Sequence, residues 1–253
     1  MSKKDERLGK HFITNEGYEI VIIEYKDANN VLIQFQDEYK TIIPTTYHCC
    51  ESGEIRNPYH PNKYGGYIGV GVYKSKENNK TTKCFQDWSN MIKRGYDEEL
   101  KNKYPTYKEV IVYEGWHNFQ NFAEWWHNNY YEVEGERMCV DKDILYKGNK
   151  EYAPDKCIFV PERINTLFVK QSNKRNNLPI GVCYHKRDRV YQASCNTLNG
   201  NKYLGSYLTS EQAFLAYKEF KEDYIKQVAD EYKGRIPDRL YEAMYTYEVE
   251  ITD

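Results

Sequence analysis

The chain has 253 residues, of which 29% are charged and 40% hydrophobic, with a mean hydropathy of −0.89 and a formal net charge of −2. That length accommodates two or three modules, the near-neutral balance excludes a bulk polycation, and no run approaches the roughly 20 apolar residues a membrane helix requires. Seven cysteines without any C-x-x-C pair exclude a zinc ribbon and a disulfide scaffold, which leaves a reducing, cytoplasmic setting in which thiols act as small hydrophobes.

The N-terminal segment Met1–Arg7 has no apolar stretch after its positive charges, so no secretory signal is expected. Tyr18, Ile20, Ile22 and Glu24 then alternate with Glu19, Val21 and Ile23, and Val31, Ile33 and Phe35 alternate with Leu32, Gln34 and Gln36 across the turn Asp27-Ala28-Asn29-Asn30. With a third strand over Tyr39–Pro44, this predicts a small half-open barrel. Asn57–Asn62 breaks the periodicity and marks a linker. The glycine-rich stretch Gly65–Gly71 lacks the Lys-Ser/Thr of a phosphate-cradling loop and reads as a tight or flexible loop.

Farther on, Cys84, Trp88, Met91 and Ile92 share one helix face, and Val110–Tyr113 is a short strand. Asn118 can cap a helix carrying Phe119, Phe122, Trp125 and Trp126, aromatics that together with Trp116 are expected in the core. Met138–Leu145, the turn Lys147–Lys150 and Cys157–Pro161 form a hairpin, with a short helix from Glu162. A polar linker covers 171–178.

Between Gly181 and Tyr217, three β-prone runs are separated by Lys186-Arg187-Asp188 and Asn199-Gly200-Asn201. A helix follows with Thr209 as N-cap and Gln212 three residues on, and Ala213, Tyr217, Phe220, Tyr224 and Val228 make one apolar face. Tyr245, Tyr247, Val249 and Ile251 alternate with polar residues, which predicts a final strand partnered in another module. The fold class is therefore α+β with three modules: a small β module over 1–62, an α/β region over 63–170, and a three-stranded sheet packed on one helix over 171–253.

Charge is unevenly spread. Residues 170–207 carry seven basic residues (Lys170, Lys174, Arg175, Lys186, Arg187, Arg189, Lys202) against the single acid Asp188, whereas 208–253 hold six basic and eleven acidic residues. A basic sheet with an acidic helical back suits a reader of duplex DNA, because neutralising phosphates supplies most of the binding energy.

The wording Gly181-Val182 … Tyr191-x-Ala193 … Tyr203-Leu204-Gly205-x-Tyr207-x-Thr209 … Glu211-x-Ala213-x-x-Ala216-Tyr217 resembles the Apetala-two (ethylene-response-factor) DNA-binding domain, which phage and mobile-element proteins also carry. The resemblance covers about fifty residues. It implies that the sheet face opposite the helix enters the major groove, which places Cys183, His185, Gln192, Ser194, Asn196 and Tyr203 toward bases. Lys186, Arg187, Arg189 and Lys202 would hold phosphates, and four such contacts imply a log–log salt slope of about −3.6. Where the family carries base-reading arginines, Cys183, His185 and Asn196 stand here, so weak sequence preference is expected.

The middle region, through Trp88-x-x-Met91-x-x-Arg94-x-Tyr96, Trp116-x-x-Phe119-x-x-Phe122 and Val140-Asp141-Lys142-Asp143-Ile144 … Gly148-Asn149-Lys150 … Cys157, resembles the HNH (ββα-metal, His-Me finger) endonucleases of phages, with Asn165 near the final family position. In that frame Lys142 occupies the place of the catalytic histidine. A protonated lysine is a poor base, and Lys156, where the family has asparagine, would repel a metal ion. Asp141 and Asp143, on opposite faces of one strand, cannot share an ion.

The resemblance therefore implies a retained frame without hydrolysis, and no metal or other cofactor is expected. The leading expectation is a non-catalytic phage-type protein that binds double-stranded DNA in the host cytoplasm. The alternatives are a phage inhibitor that blocks a host protein or nucleoprotein defence complex, and a metal-dependent HNH nicking endonuclease. No membrane partner is expected.

Overall fold

A computed structural model of the protein describes residues 3–169 and 178–251, and its contacts gather into two units. The first comprises 1–82 and 114–122, the second 83–113 and 123–253. The expected boundary after residue 62 thus falls inside the first unit, and the one after 170 falls among residues outside the description. Among the described residues no helix is long and apolar enough to cross a membrane.

The first unit begins with α1 (Lys3–Arg7) and an open antiparallel meander of β1 (His11–Ile13), β2 (Glu19–Asp27), β3 (Asn30–Phe35) and β4 (Ile42–Thr45), followed by α2 (Tyr47–Ser52). The alternation places Ile20, Ile22, Val31, Ile33 and Phe35 in its core, each at most 2% exposed. The expected phase fails at the middle of β2. Ile22 pairs with Ile33 and Glu24 with Leu32, so Ile23 is an extra, bulged residue. Beyond it Tyr25, not Glu24, turns into the core, and Ile23 is left 38% exposed.

Asn57, expected in a linker, is instead pinned to this unit. It is 4% exposed, its amide donates to Asp37 at 2.6 Å, and its backbone N–H donates to Glu16 at 2.8 Å. A short hairpin, β5 (Lys76–Glu77) and β6 (Lys80–Thr81), closes the segment. The glycine-rich loop is tightly held: Gln120 donates to Ile68 O and Tyr73 O and accepts from Tyr73 N–H. A Cβ on Gly71 would lie 2.3 Å from that side chain's oxygen, so only glycine permits the approach.

The second unit contains α3 (Lys83–Tyr96), α4 (Glu98–Lys103), β7 (Ile111–Val112), most of α5 (Phe119–Asn129), β8 (Met138–Asp141), β9 (Glu151–Tyr152), β10 (Ile158–Pro161) and α6 (Glu162–Asn165). Cys84, Trp88, Met91 and Ile92 are buried along α3 as their spacing predicts. Asn118 Oδ1 accepts from Gln120 N–H at the start of α5. Trp116 and Trp126 are buried, whereas Trp125 is half-buried, stacked on Phe159 with its Nε1 donating to Pro154 O. β8 and β10 form the expected antiparallel pair, from Met138 opposite Pro161 to Asp141 opposite Ile158, with α6 directly after.

The C-terminal part is the expected three-stranded antiparallel sheet in the order β11 (Val182–His185), β12 (Val190–Thr197), β13 (Gly200–Tyr207), backed by α7 (Ser210–Glu231) and followed by α8 (Asp238–Tyr245). Thr209 caps α7, its Oγ1 accepting from Gln212 N–H at 3.2 Å. Val182, Ala193 and Cys195 meet Ala213, Phe214 and Tyr217 in a core that also includes Val249.

The expected final strand does not form. Tyr245 ends α8, stacked on Tyr241, and Tyr247–Glu250 has no ladder partner among the described residues. Side chains of α7 take the place of a strand: Val249 N–H donates to Glu222 at 2.7 Å and Lys218 donates to Val249 O at 2.7 Å. Charged groups thereby satisfy the backbone that a neighbouring strand would otherwise pair.

Candidate functional site

The face of the sheet turned away from α7 is fixed by register. Cys183 pairs with Gln192 and Gln192 with Ser206; Ser194 pairs with Tyr203, and Asn196 with Asn201. Cross-strand partners share a face, so the expected Cys183, Gln192, Ser194, Asn196 and Tyr203 come together, joined by Asn201 and Ser206. Two of these contacts are hydrogen bonds: Asn201 donates to Asn196 Oδ1 at 2.7 Å, and the Tyr203 hydroxyl lies 2.7 Å from Ser206 Oγ. Tyr203 is 58% exposed. Asn201 and Ser206 were legible only once the hairpin loop was known to hold two residues, Leu198 and Asn199, with Thr197 opposite Gly200.

That same register removes Lys202 from the group. It lies opposite the buried Cys195, on the helix side, with its ammonium 4.6 Å from the Phe220 ring centroid. The remaining cations sit on the turn between β11 and β12. Lys186, Arg187 and Arg189 are all exposed, Arg189 in the left-handed region at φ 54°. Asp188 stands among them. Its carboxylate accepts from Arg187 Nε at 2.9 Å and lies 3.1 Å from His185 Nδ1, within ion-pair distance but without hydrogen-bonding geometry. Lys170, Lys174 and Arg175 lie outside the described residues. What this surface offers is a row of amide and hydroxyl groups, with three exposed cations at one end.

The second candidate place is the β8–β10 hairpin, where a cavity of about 400 Å³ is lined by Arg94, Asp141, Lys142, Asp143, Lys150 and Asn165 among others. β8 ends at Asp141, whose Oδ1 accepts from the N–H groups of Asp143 and Ile144 and so shapes the turn. Burial foremost, and then the neighbouring Asp143 charge, raise its carboxyl to about 6. Lys142 is 8% exposed and donates to Asp143 at 3.2 Å and to Asn149 O at 3.0 Å. Asn149 in turn donates to Lys142 O and Glu151 O. Lys156, in the position where a metal ligand would be wanted, is paired with Glu151.

These groups bind one another. The carboxylate that could have held an ion is occupied by the turn, and the lysine in the base position donates rather than accepts. Among the described residues no cluster of three or more His, Cys, Asp or Glu side chains is placed to hold a metal. Arg94, quoted in the HNH-like pattern but not as a site residue, also lines this cavity and donates to the Tyr152 hydroxyl at 3.0 Å. Compared with known proteins, the chain matches no protein-family model, no curated protein and no solved structure.

Proposed function

We propose that this chain is a non-catalytic, phage-type protein that binds double-stranded DNA through the exposed face of its C-terminal sheet. The observation that carries the reading is the register, which aligns Gln192, Ser194, Asn196, Asn201, Tyr203 and Ser206 on one exposed face beside a turn bearing Lys186, Arg187 and Arg189. A short β-ribbon fits the major groove, and amide side chains hydrogen-bond base edges there while cations hold phosphates. The resemblance to the Apetala-two domain points the same way. The internal bonds of Asp141 and Lys142 support a reading without hydrolysis.

With Lys202 turned to the helix side, three phosphate contacts are expected from the turn, for a log–log salt slope of about −2.7. The test uses full-length protein with Arg187→Glu and Arg189→Glu combined, and follows duplex binding by fluorescence anisotropy over a range of salt. Both side chains are exposed, so the melting temperature should not change and binding should be lost. A folded double variant that binds duplex normally would sink the reading. A salt-insensitive complex, or none at low salt, would point to a protein target instead.

A further inference from the structure

The tip of the β12–β13 hairpin carries a pair of amides that is held in place from behind. Asn196 and Asn201 stand opposite each other on the two strands, both exposed, and the Asn201 amide donates to Asn196 Oδ1 at 2.7 Å. The loop beyond them is anchored. Thr197 Oγ1 donates to Gly200 O at 2.7 Å and accepts from Asn199 N–H at 3.2 Å, while Leu198 N–H donates to the Tyr224 hydroxyl of α7 at 2.9 Å. Cys195, next to Asn196, is buried in the core shared with α7, so alternation turns Asn196 to the opposite face.

The bond between the amides leaves a defined remainder. Asn196 Nδ2 keeps both N–H groups and Oδ1 keeps one lone pair, and neither side chain makes another hydrogen bond among the described residues. A donor and an acceptor side by side on one planar amide match adenine, whose major-groove edge presents the N7 acceptor beside the N6 amino donor. Because Asn201 fixes which way the Asn196 amide faces, less side-chain freedom is lost when a base is met. The rest of the face selects against the alternatives. Guanine, with acceptors at O6 and N7, calls for Arg or Lys, and cytosine N4 calls for a carboxylate. Cys183, Gln192, Ser194, Tyr203 and Ser206, which share the face, supply neither. The charged residues 186–189 lie on the turn at the other end of β12, and Lys202 sits over the Phe220 ring on the helix side.

We propose that Asn196, positioned by Asn201, reads adenine in the major groove, so that the protein prefers duplexes containing A·T pairs over G·C duplexes. Adenine reading rests on duplex binding through the same face and adds the base that the face selects. Asn196 makes the base contact, donating to N7 and accepting from N6–H; Asn201 is a positioning residue that holds the amide.

The test measures fluorescence anisotropy of the full-length protein at one low salt concentration with three labelled duplexes of equal length. These are an A·T duplex of mixed step order, a G·C duplex, and the A·T duplex with 7-deazaadenine for adenine, which keeps its pairing and loses only the N7 acceptor. The wild type should bind the A·T duplex roughly tenfold tighter than the G·C duplex, the worth of one bidentate base contact. 7-Deazaadenine should remove most of that margin. Asn196→Ala should bring the ratio of the two affinities to about one, the loss of that single contact. Asn201→Ala should reduce the ratio without abolishing it, since the amide remains but is no longer held; a purely structural role would change both affinities alike. Both positions are exposed, so neither substitution should move the melting temperature appreciably. Equal wild-type affinity for the A·T and G·C duplexes overturns the adenine contact and leaves duplex binding standing. A preference that survives 7-deazaadenine or Asn196→Ala overturns it as well and assigns the preference to groove shape. If neither duplex binds, duplex binding itself fails and the adenine contact with it.

Discussion

Gly181, immediately before β11, packs directly against Tyr217 of α7, and its replacement by alanine gives a calculable penalty. Its φ is 77°, and a Cβ added there would lie 2.0 Å from Tyr217 Cδ2 and 2.3 Å from Cγ. Tyr217 is 5% exposed within the cluster that joins the sheet to α7, so the ring cannot simply swing into solvent. Two penalties add. Holding an L-residue in the left-handed region costs about 1 kcal/mol, and forcing a methyl into a packed core costs about 1–3 kcal/mol more. At roughly 2–4 °C per kcal/mol for a chain of this size, Gly181→Ala should lower the melting temperature by roughly 5–15 °C.

Gly148 supplies the control. Its φ is 82°, but nothing lies within 4 Å of an added Cβ, so Gly148→Ala incurs only the backbone term, about 1 kcal/mol. Thermal unfolding followed by circular dichroism compares the two. If Gly181→Ala melts no lower than Gly148→Ala, the close approach of Gly181 to Tyr217 is not what this position is built for. The order of the two variants decides this without requiring the unfolding to be two-state.

Other outcomes follow from particular side chains. The carboxyl of Asp141, at about 6 in the folded chain, binds its proton more tightly than in the unfolded chain. Its contribution is therefore present at low pH and is lost as pH rises from about 4 to 6, by at most about 2–3 kcal/mol. The melting-temperature difference between the wild type and Asp141→Asn should shift across that window in favour of the variant, and a constant difference would contradict the assignment. Thr209→Ala should destabilise by about 1 kcal/mol through loss of the helix cap, with Thr209→Ser largely restoring it in the same unfolding assay. Asp188→Asn, which frees Arg187 from its internal partner, should tighten duplex binding several-fold and steepen its salt dependence; weaker binding would show that Asp188 orders the turn instead.

Much of the fold could be read locally. The turn residues around Lys186 and Asn199, the Thr209 cap and the repeating apolar positions after it specify three strands and a helix, because each signal acts within a few residues of where it is felt. The α3 face and the Met138–Pro161 hairpin were legible for the same reason. Alternation also separates the Gln192, Ser194 and Asn196 side of β12 from the Ala193 and Cys195 side. What alternation cannot show is which neighbour each strand meets, and in what phase. Tertiary pairing set Lys202 opposite Cys195 and took it from the exposed face, and a single bulged residue, Ile23, exchanged Glu24 for Tyr25 in the first core. The alternating C-terminal segment meets side chains of α7 where a strand was expected, with Lys218 and Glu222 bonding the backbone of Val249. The burial of Lys221 beside an open cavity has no local signature at all, since a lysine on a helix reads as solvated until the sheet is laid across it.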